Sequence, residues 1–148
     1  MDELKATLKV LMANQFVMYF KAQSYHWNVE GINFNEYHDF FAEIYSDVYA
    51  QVDPVAEYLR VLGEYAPLSV MQLYEYKSID EDTFKPSTVM GMLGNLNKDN
   101  QELIANLNKL FDVASSANEQ GMADYAASRL DKHKKHAWMI RSCLKIED

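Results

Sequence analysis

Helical periodicity sustained over four long stretches, with only three prolines and five glycines to interrupt 148 residues, restricts this chain more than any other feature. Apolar residues recurring at intervals of three and four mark one face of a helix, whereas strands alternate at every second residue, and few segments here alternate. Residues 3–27 place Leu4, Leu8, Leu11, Met12, Phe16, Tyr19 and Phe20 on one broad stripe. Seven residues beyond Tyr19 the direction is nearly repeated, so His26 is expected on or near the buried side at the end of that helix. The segment "NVEGIN" breaks the pattern, and "NFNE" offers Asn33 as N-cap with Glu36 at the third helical position, a capping-box variant.

A second helix is expected over 34–63, about 45 Å long, with Phe34, Tyr37, Phe41, Ile44, Val48, Val55, Leu59 and Leu62 in register. Pro54 inside it removes the bond to the Ala50 carbonyl and predicts a kink. "GEYAPLS" ends the helix, "VMQLYEY" reads as a short connecting helix, and "DEDTFKPS" makes the next break. A third helix is expected over 87–117, through Met90, Met92, Leu93, Leu96, Leu103, Ile104, Leu107 and Leu110. After "SSANEQG" a fourth takes 121–145 and carries Tyr125, Leu130, Trp138, Met139 and Leu144. Four long helices with one longer central connection describe an all-α four-helix bundle, the second and third helices running in the same direction. Residues 1–148 read as a single domain, long enough to bury a core.

Composition narrows the function classes. The opening "MDELKATLKVLMANQFVMYF" is interrupted by Asp2, Glu3, Lys5 and Lys9 and reads as neither a signal peptide nor a membrane span. A lone cysteine, Cys143, makes no internal disulfide, so a cytoplasmic setting is the expectation. Acidic residues outnumber basic ones, 22 to 14, for a net charge of −8. Phosphate binding depends on clustered Lys and Arg, so nucleic acid is a poor partner. The one basic cluster, Arg129, Lys132, Lys134 and Lys135 within "RLDKHKKHAWMIR", reads as a solvated helix face.

Polar residues on the bundle helices are where chemistry would sit, because leaving them unpaired in a core is costly. His26 and His38 flank the break at Gly31, and Asp53 and Glu57 stand four apart on the second helix, where their carboxylates project to one side. His38 and Asp53 are fifteen residues apart, about 22 Å along a helix axis. They cannot share a metal within one chain, yet at about 100° per residue all three second-helix residues lie along one face. Two copies of that helix packed antiparallel about a two-fold axis would bring the histidines of one chain to the carboxylates of its mate, making two equal sites. Two imidazoles and two carboxylates suit a first-row metal such as iron, with zinc and manganese as further candidates.

The sequence "HWNVEGINFNEYH", followed fifteen residues after its second histidine by "DPVAE" and closed by "DKHKKHAWMIRSCL", resembles the Dps family of miniferritins over nearly the whole chain. That resemblance implies a ferritin-like bundle, and a hollow shell of twelve subunits built from two-fold dimers. It implies a ferroxidase that oxidises Fe(II), preferably with hydrogen peroxide and otherwise with O2, and stores the ferric product, giving iron homeostasis and protection from oxidative stress. Residue by residue, His26, His38, Asp53 and Glu57 match the family's metal ligands, and Trp27 matches a tryptophan beside the site with a role in electron transfer. Of the acidic residues that line a three-fold iron channel in relatives, Asp124 matches and Glu119 lies nearby. There are three departures: Ala42 occupies a position, one turn after His38, that is acidic in many relatives; the lysine-rich tails of DNA-binding members are missing; and of the several channel acids only Asp124 matches, Glu119 being unaligned. Asp39 and Glu43 flank Ala42 but are a residue off in angle. A DNA-condensing cage using Lys132, Lys134 and Lys135, and a structural cage with an impaired iron site, are the rival readings.

Overall fold

Among the described residues there are six helices: α1 (Asp2–Asn28), α2 (Phe34–Tyr49), α3 (Val52–Val61), α4 (Val70–Tyr74), α5 (Val89–Ser116) and α6 (Gln120–Leu144). The computed structural model describes residues 1–82 and 88–145, so most of the expected break "DEDTFKPS" and the last three residues lie outside the described residues. Helices α1, α5 and α6 match the expected first, third and fourth helices to within two residues at either end, and α4 is the short helix expected in the connection. None is long and apolar enough to cross a membrane.

The expected second helix is two. Pro54 has no N–H to return to the Ala50 carbonyl, and the ladder gives way ahead of it. Gln51 N bonds Val48 O at 3.0 Å in a tightened turn, and Val55 N reaches Gln51 O only at 3.5 Å. Ala50 and Gln51 nevertheless keep right-handed helical backbone, so α3 continues from α2 across a bend. Pro54 becomes the third residue of α3, in the first turn, where a missing N–H costs nothing.

The capping box is also not formed. Asn33 is the N-cap of α2, but its backbone is left-handed (φ 66°, ψ 27°) and its side chain makes no capping bond. An N-cap side chain reaches the N2 or N3 amide from extended backbone, which Asn33 does not have; Glu36 is exposed. Gly31, at φ 106°, makes the turn that Phe34 N closes onto Gly31 O at 3.2 Å. Working caps stand elsewhere. Ser69 Oγ accepts from Gln72 N and Thr88 Oγ1 accepts from Gly91 N, each at 3.1 Å. Thr88→Ala is therefore expected to cost about 1 kcal/mol, read as a lower urea midpoint with an unchanged slope.

Helix α1 packs against α2, α3, α4 and α5, and α5 pairs along its length with α6. Leu4, Leu8, Leu11 and Val17 of α1 meet Phe41, Ile44 and Val48 of α2, Val55 and Leu59 of α3, and Leu93, Leu96, Leu103, Leu107 and Leu110 of α5 in one apolar core. Helix α6 departs from expectation. Trp138 is 61% exposed, and Tyr125, Leu130, Met139 and Leu144 are only half-buried. Its inward face is instead Met122, Ala126, Arg129, His133, His136 and Ile140, a run at helical spacing whose middle is polar. Arg129 thus leaves the solvated cluster it was assigned to, while Lys132, Lys134 and Lys135 are exposed as expected.

Candidate metal centre

The end of α1 and the start of α2 bring His26 and His38 face to face. Their rings stack with centroids 3.7 Å apart and planes 15° from parallel. Each Nδ1 lies 2.6 Å from the other residue's backbone carbonyl. A carbonyl only accepts, so each Nδ1 carries the hydrogen and donates it, and this reciprocal pair of bonds fixes both tautomers. In the neutral ring the lone pair is then on Nε2, on the ring edge opposite the backbone, and no hydrogen bond among the described residues uses either Nε2. That is the state in which an imidazole binds a metal, with its orientation held by the carbonyl behind it. Phe34 stacks on His38 at 5.0 Å and the edge of Tyr45 meets His26 at 5.3 Å, so aromatic rings flank the pair on both sides.

Asp53 and Glu57 are exposed on α3, one helical turn apart. Hydrogen bonding to Asp53 in the protonated form, and then the repulsion of its charge, raise the Glu57 carboxyl above its ordinary value. Carboxylates are donors that first-row divalent cations take. Among the described residues no set of three or more His, Cys, Asp or Glu side chains is placed to hold a metal ion within the chain. Within the chain the imidazole pair and the carboxylate pair do not come together into one such set.

Of the other residues singled out by sequence, Trp27 is 58% exposed at the end of α1, its ring against Phe20 at 6.2 Å and 83°. Ala42 is half-buried one turn beyond His38, while Asp39 and Glu43 beside it are exposed. Glu119 and Asp124 lie at the start of α6, half-buried and exposed respectively.

Sequence reasoning missed a polar network in the bundle interior. Asp47 of α2 accepts two parallel bonds from Arg129, Nη1 to Oδ1 at 3.0 Å and Nη2 to Oδ2 at 2.8 Å, and a third from His136 Nε2 at 2.7 Å. Arg129 Nη2 also donates to His133 Nε2 at 3.1 Å. A guanidinium cannot accept, so His133 carries its hydrogen on Nδ1, which donates to Asn100 Oδ1 of α5 at 2.7 Å. The Asn100 amide returns a bond to the His133 carbonyl at 2.8 Å. Burial pushes the Asp47 carboxyl up, but the bonds from His136 and Arg129, and their charge, outweigh it and hold the group well below the carboxylate range. Burial, then the charge of Arg129, pushes His133 down to about 3. The signal for this network was the spacing of Arg129, His133 and His136 at i, i+4 and i+7, which places all three on one face of α6.

A ferritin-like domain model matches residues 5–147. The chain is 31% identical over 133 residues to the DNA protection during starvation protein of Brevibacillus brevis, spanning 90% of this chain and 89% of that protein. It superposes on the Dps structure from Thermosynechococcus elongatus with a TM-score of 0.95 at 26% identity, covering 99% of this chain and 93% of that one. The Dps protein from Vibrio cholerae, described as a member of a broad superfamily of ferritin-like diiron-carboxylate proteins, superposes with a TM-score of 0.92 at 26% identity over 97% of this chain and 90% of that one.

Proposed function

Because the chain belongs to the ferritin-like family, and within it to the Dps proteins, we propose that it is a ferroxidase that binds Fe(II) as substrate between two copies of itself and stores the ferric product in a closed shell. The observation that carries this reading is the stacked histidine pair, both Nε2 atoms free, on a chain that supplies a carboxylate pair too far along to join it. His26 and His38 of one subunit and Asp53 and Glu57 of its mate together offer two neutral nitrogens and two anionic oxygens. The carboxylates favour Fe(III) over Fe(II), which lowers the cost of giving up an electron, and the imidazoles complete the shell. With hydrogen peroxide, two Fe(II) each lose one electron, the O–O bond takes both together with two protons, and two waters leave. O2 is the slower alternative oxidant. Zinc and manganese suit the same donors and would compete for the site.

Trp27, the neighbour of His26 in the chain and exposed, is the residue to which we assign electron transfer beside the site. Asp124 and Glu119 are the acidic residues proposed to line the iron entry at the three-fold axis of a dodecamer. Ala42 leaves a second iron position without its carboxylate. A DNA-coating role is weaker: the net charge is −8, and Arg129 is spent in the interior.

The test is anaerobic loading with Fe(II) followed by peroxide, the ferric product read by absorbance. His38→Ala with Asp53→Ala is expected to slow oxidation at least tenfold while leaving the fold and the shell intact. Equal rates in the two proteins would sink the assignment, and elution of the wild type at the mass of a monomer or dimer would sink the shell.

A further inference from the structure

The His26 imidazole is the edge of a larger aromatic cluster that holds three tyrosines. Seven residues return a helix nearly to the same face. The antiparallel register that sets His26 of α1 against His38 of α2 therefore sets Tyr19 against Tyr45 two turns further along. The edge of the Tyr45 ring meets His26 at 5.3 Å, Tyr19 lies 6.4 Å from Tyr45, and Tyr49, one turn beyond Tyr45, lies 4.6 Å from Tyr19. Phe20 stands 6.3 Å from Tyr19 and 6.2 Å from Trp27. The three tyrosines, Trp27 and the histidine pair thus belong to one connected set of rings. Packing between α1 and α2 asks only for the rings, which phenylalanine would supply equally well. What tyrosine adds is a phenol, able to give up an electron together with its O–H proton. The centre has a use for that electron. Hydrogen peroxide takes two, one Fe(II) gives one, and Ala42 leaves a second iron position without its carboxylate.

We propose that Tyr45, Tyr19 and Tyr49 are the electron reserve of a one-iron centre, in which Fe(II) and a tyrosine each give one electron to the same hydrogen peroxide. The O–O bond breaks and two waters form, taking one proton from the phenol and one from solvent; Fe(III) and a neutral tyrosyl radical remain. Tyr45, in contact with His26, is the first to be oxidised, and Tyr19 and Tyr49 carry the radical away from the iron. The next Fe(II) to arrive returns an electron to the radical, which takes back a proton. The sum is two Fe(II) oxidised per peroxide, with no hydroxyl radical released. This inference rests on the ferroxidase reading above.

The assembled protein is loaded anaerobically with one Fe(II) per chain, mixed with hydrogen peroxide and frozen for electron paramagnetic resonance, while a spin trap reports hydroxyl radical in a parallel sample. Wild type is expected to show a tyrosyl signal that narrows when its tyrosines carry ring deuterium and that a further addition of Fe(II) erases. The variant Tyr19→Phe, Tyr45→Phe, Tyr49→Phe keeps every ring and removes only hydroxyls. It is expected to lose the tyrosyl signal and to release hydroxyl radical that wild type does not. Tyr65→Phe, outside the cluster, and Trp27→Phe should both keep the tyrosyl signal. Should the triple variant fail to assemble, Tyr45→Phe alone decides by the same signs. Fe(II) oxidation above buffer with no tyrosyl signal in wild type, or with one that survives the triple variant, would overturn the reserve and leave the ferroxidase reading standing. A tryptophan radical in its place, lost in Trp27→Phe and kept in the triple variant, would do the same. No Fe(II) oxidation above buffer would overturn both.

Discussion

Acidification from pH 7 to pH 4 is expected to cost this fold on the order of 3 kcal/mol through one residue, His133, and His133→Gln is expected to remove most of that loss. The site admits only a neutral ring. Its Nε2 accepts from a guanidinium 3.1 Å away, so a proton placed there would face a donor and a positive charge in a dry interior. Burial first, and Arg129 second, hold the group down to about 3, against about 6.5 in the unfolded chain. Between those values the unfolded chain binds a proton that the folded chain refuses. Stability therefore rises with pH across that window and is lost as pH falls through it. Asp47 adds to the loss lower down: its carboxyl is depressed in the fold, so its contribution is full above the ordinary carboxylate value of about 3.9 and fades below it. Urea midpoints at pH 7, 5.5 and 4, at fixed protein concentration, read the effect. The His133→Gln variant keeps a neutral polar side chain at this position with nothing to titrate near pH 6, so its midpoint should move less between pH 7 and 5.5. Parallel pH profiles for the two proteins would mean that the interior tolerates the imidazolium. With typical domains stable by only about 5–15 kcal/mol, a loss of this size is readily measured.

The same interior shows where reading the sequence stopped short. Helices α1 and α5 were legible because leucines at three and four residue intervals are a strong signal, and those residues are the core. Helix α6 was legible as a helix but not in its rotation. Counting apolar residues chose Trp138 and Leu130, whereas the face that packs inward is polar and small: Ala126, Arg129, His133 and His136. Apolar periodicity carries no information about a face whose burial is stabilised by ion pairing instead. The bend between α2 and α3 was legible in Pro54, but its place was not, because a proline disrupts the turn before it and is itself comfortable in the first turn of a new helix. For the proposed metal centre, composition and spacing singled out His26, His38, Asp53 and Glu57. What they could not supply was the reciprocal Nδ1-to-carbonyl bonding that turns two histidines twelve residues apart into a stacked pair with both Nε2 atoms free.

Two inactive variants, mixed, are expected to recover activity that neither has alone. His26→Ala with His38→Ala removes the imidazole half from every site, and Asp53→Ala with Glu57→Ala removes the carboxylate half. If each centre is built from both halves in trans, a homodimer of either variant has two broken sites. A heterodimer has one site missing all four ligands and one site missing none, because the intact imidazoles of one subunit face the intact carboxylates of the other. Co-expression in equal amounts puts about half of the dimers in the mixed state, each with one working site of two, so oxidation should return to about a quarter of the wild-type rate. The outcome depends on geometry and not on how much each ligand contributes, since the surviving site is chemically unaltered. A centre built within one chain predicts no recovery at any mixing ratio, because each subunit then carries its own defect. Differently tagged subunits, purified through both tags, would confirm that mixed assemblies formed; such assemblies with no Fe(II) oxidation above buffer would place the centre inside a single chain, against the separation of its halves by the fifteen residues from His38 on α2 to Asp53 on α3.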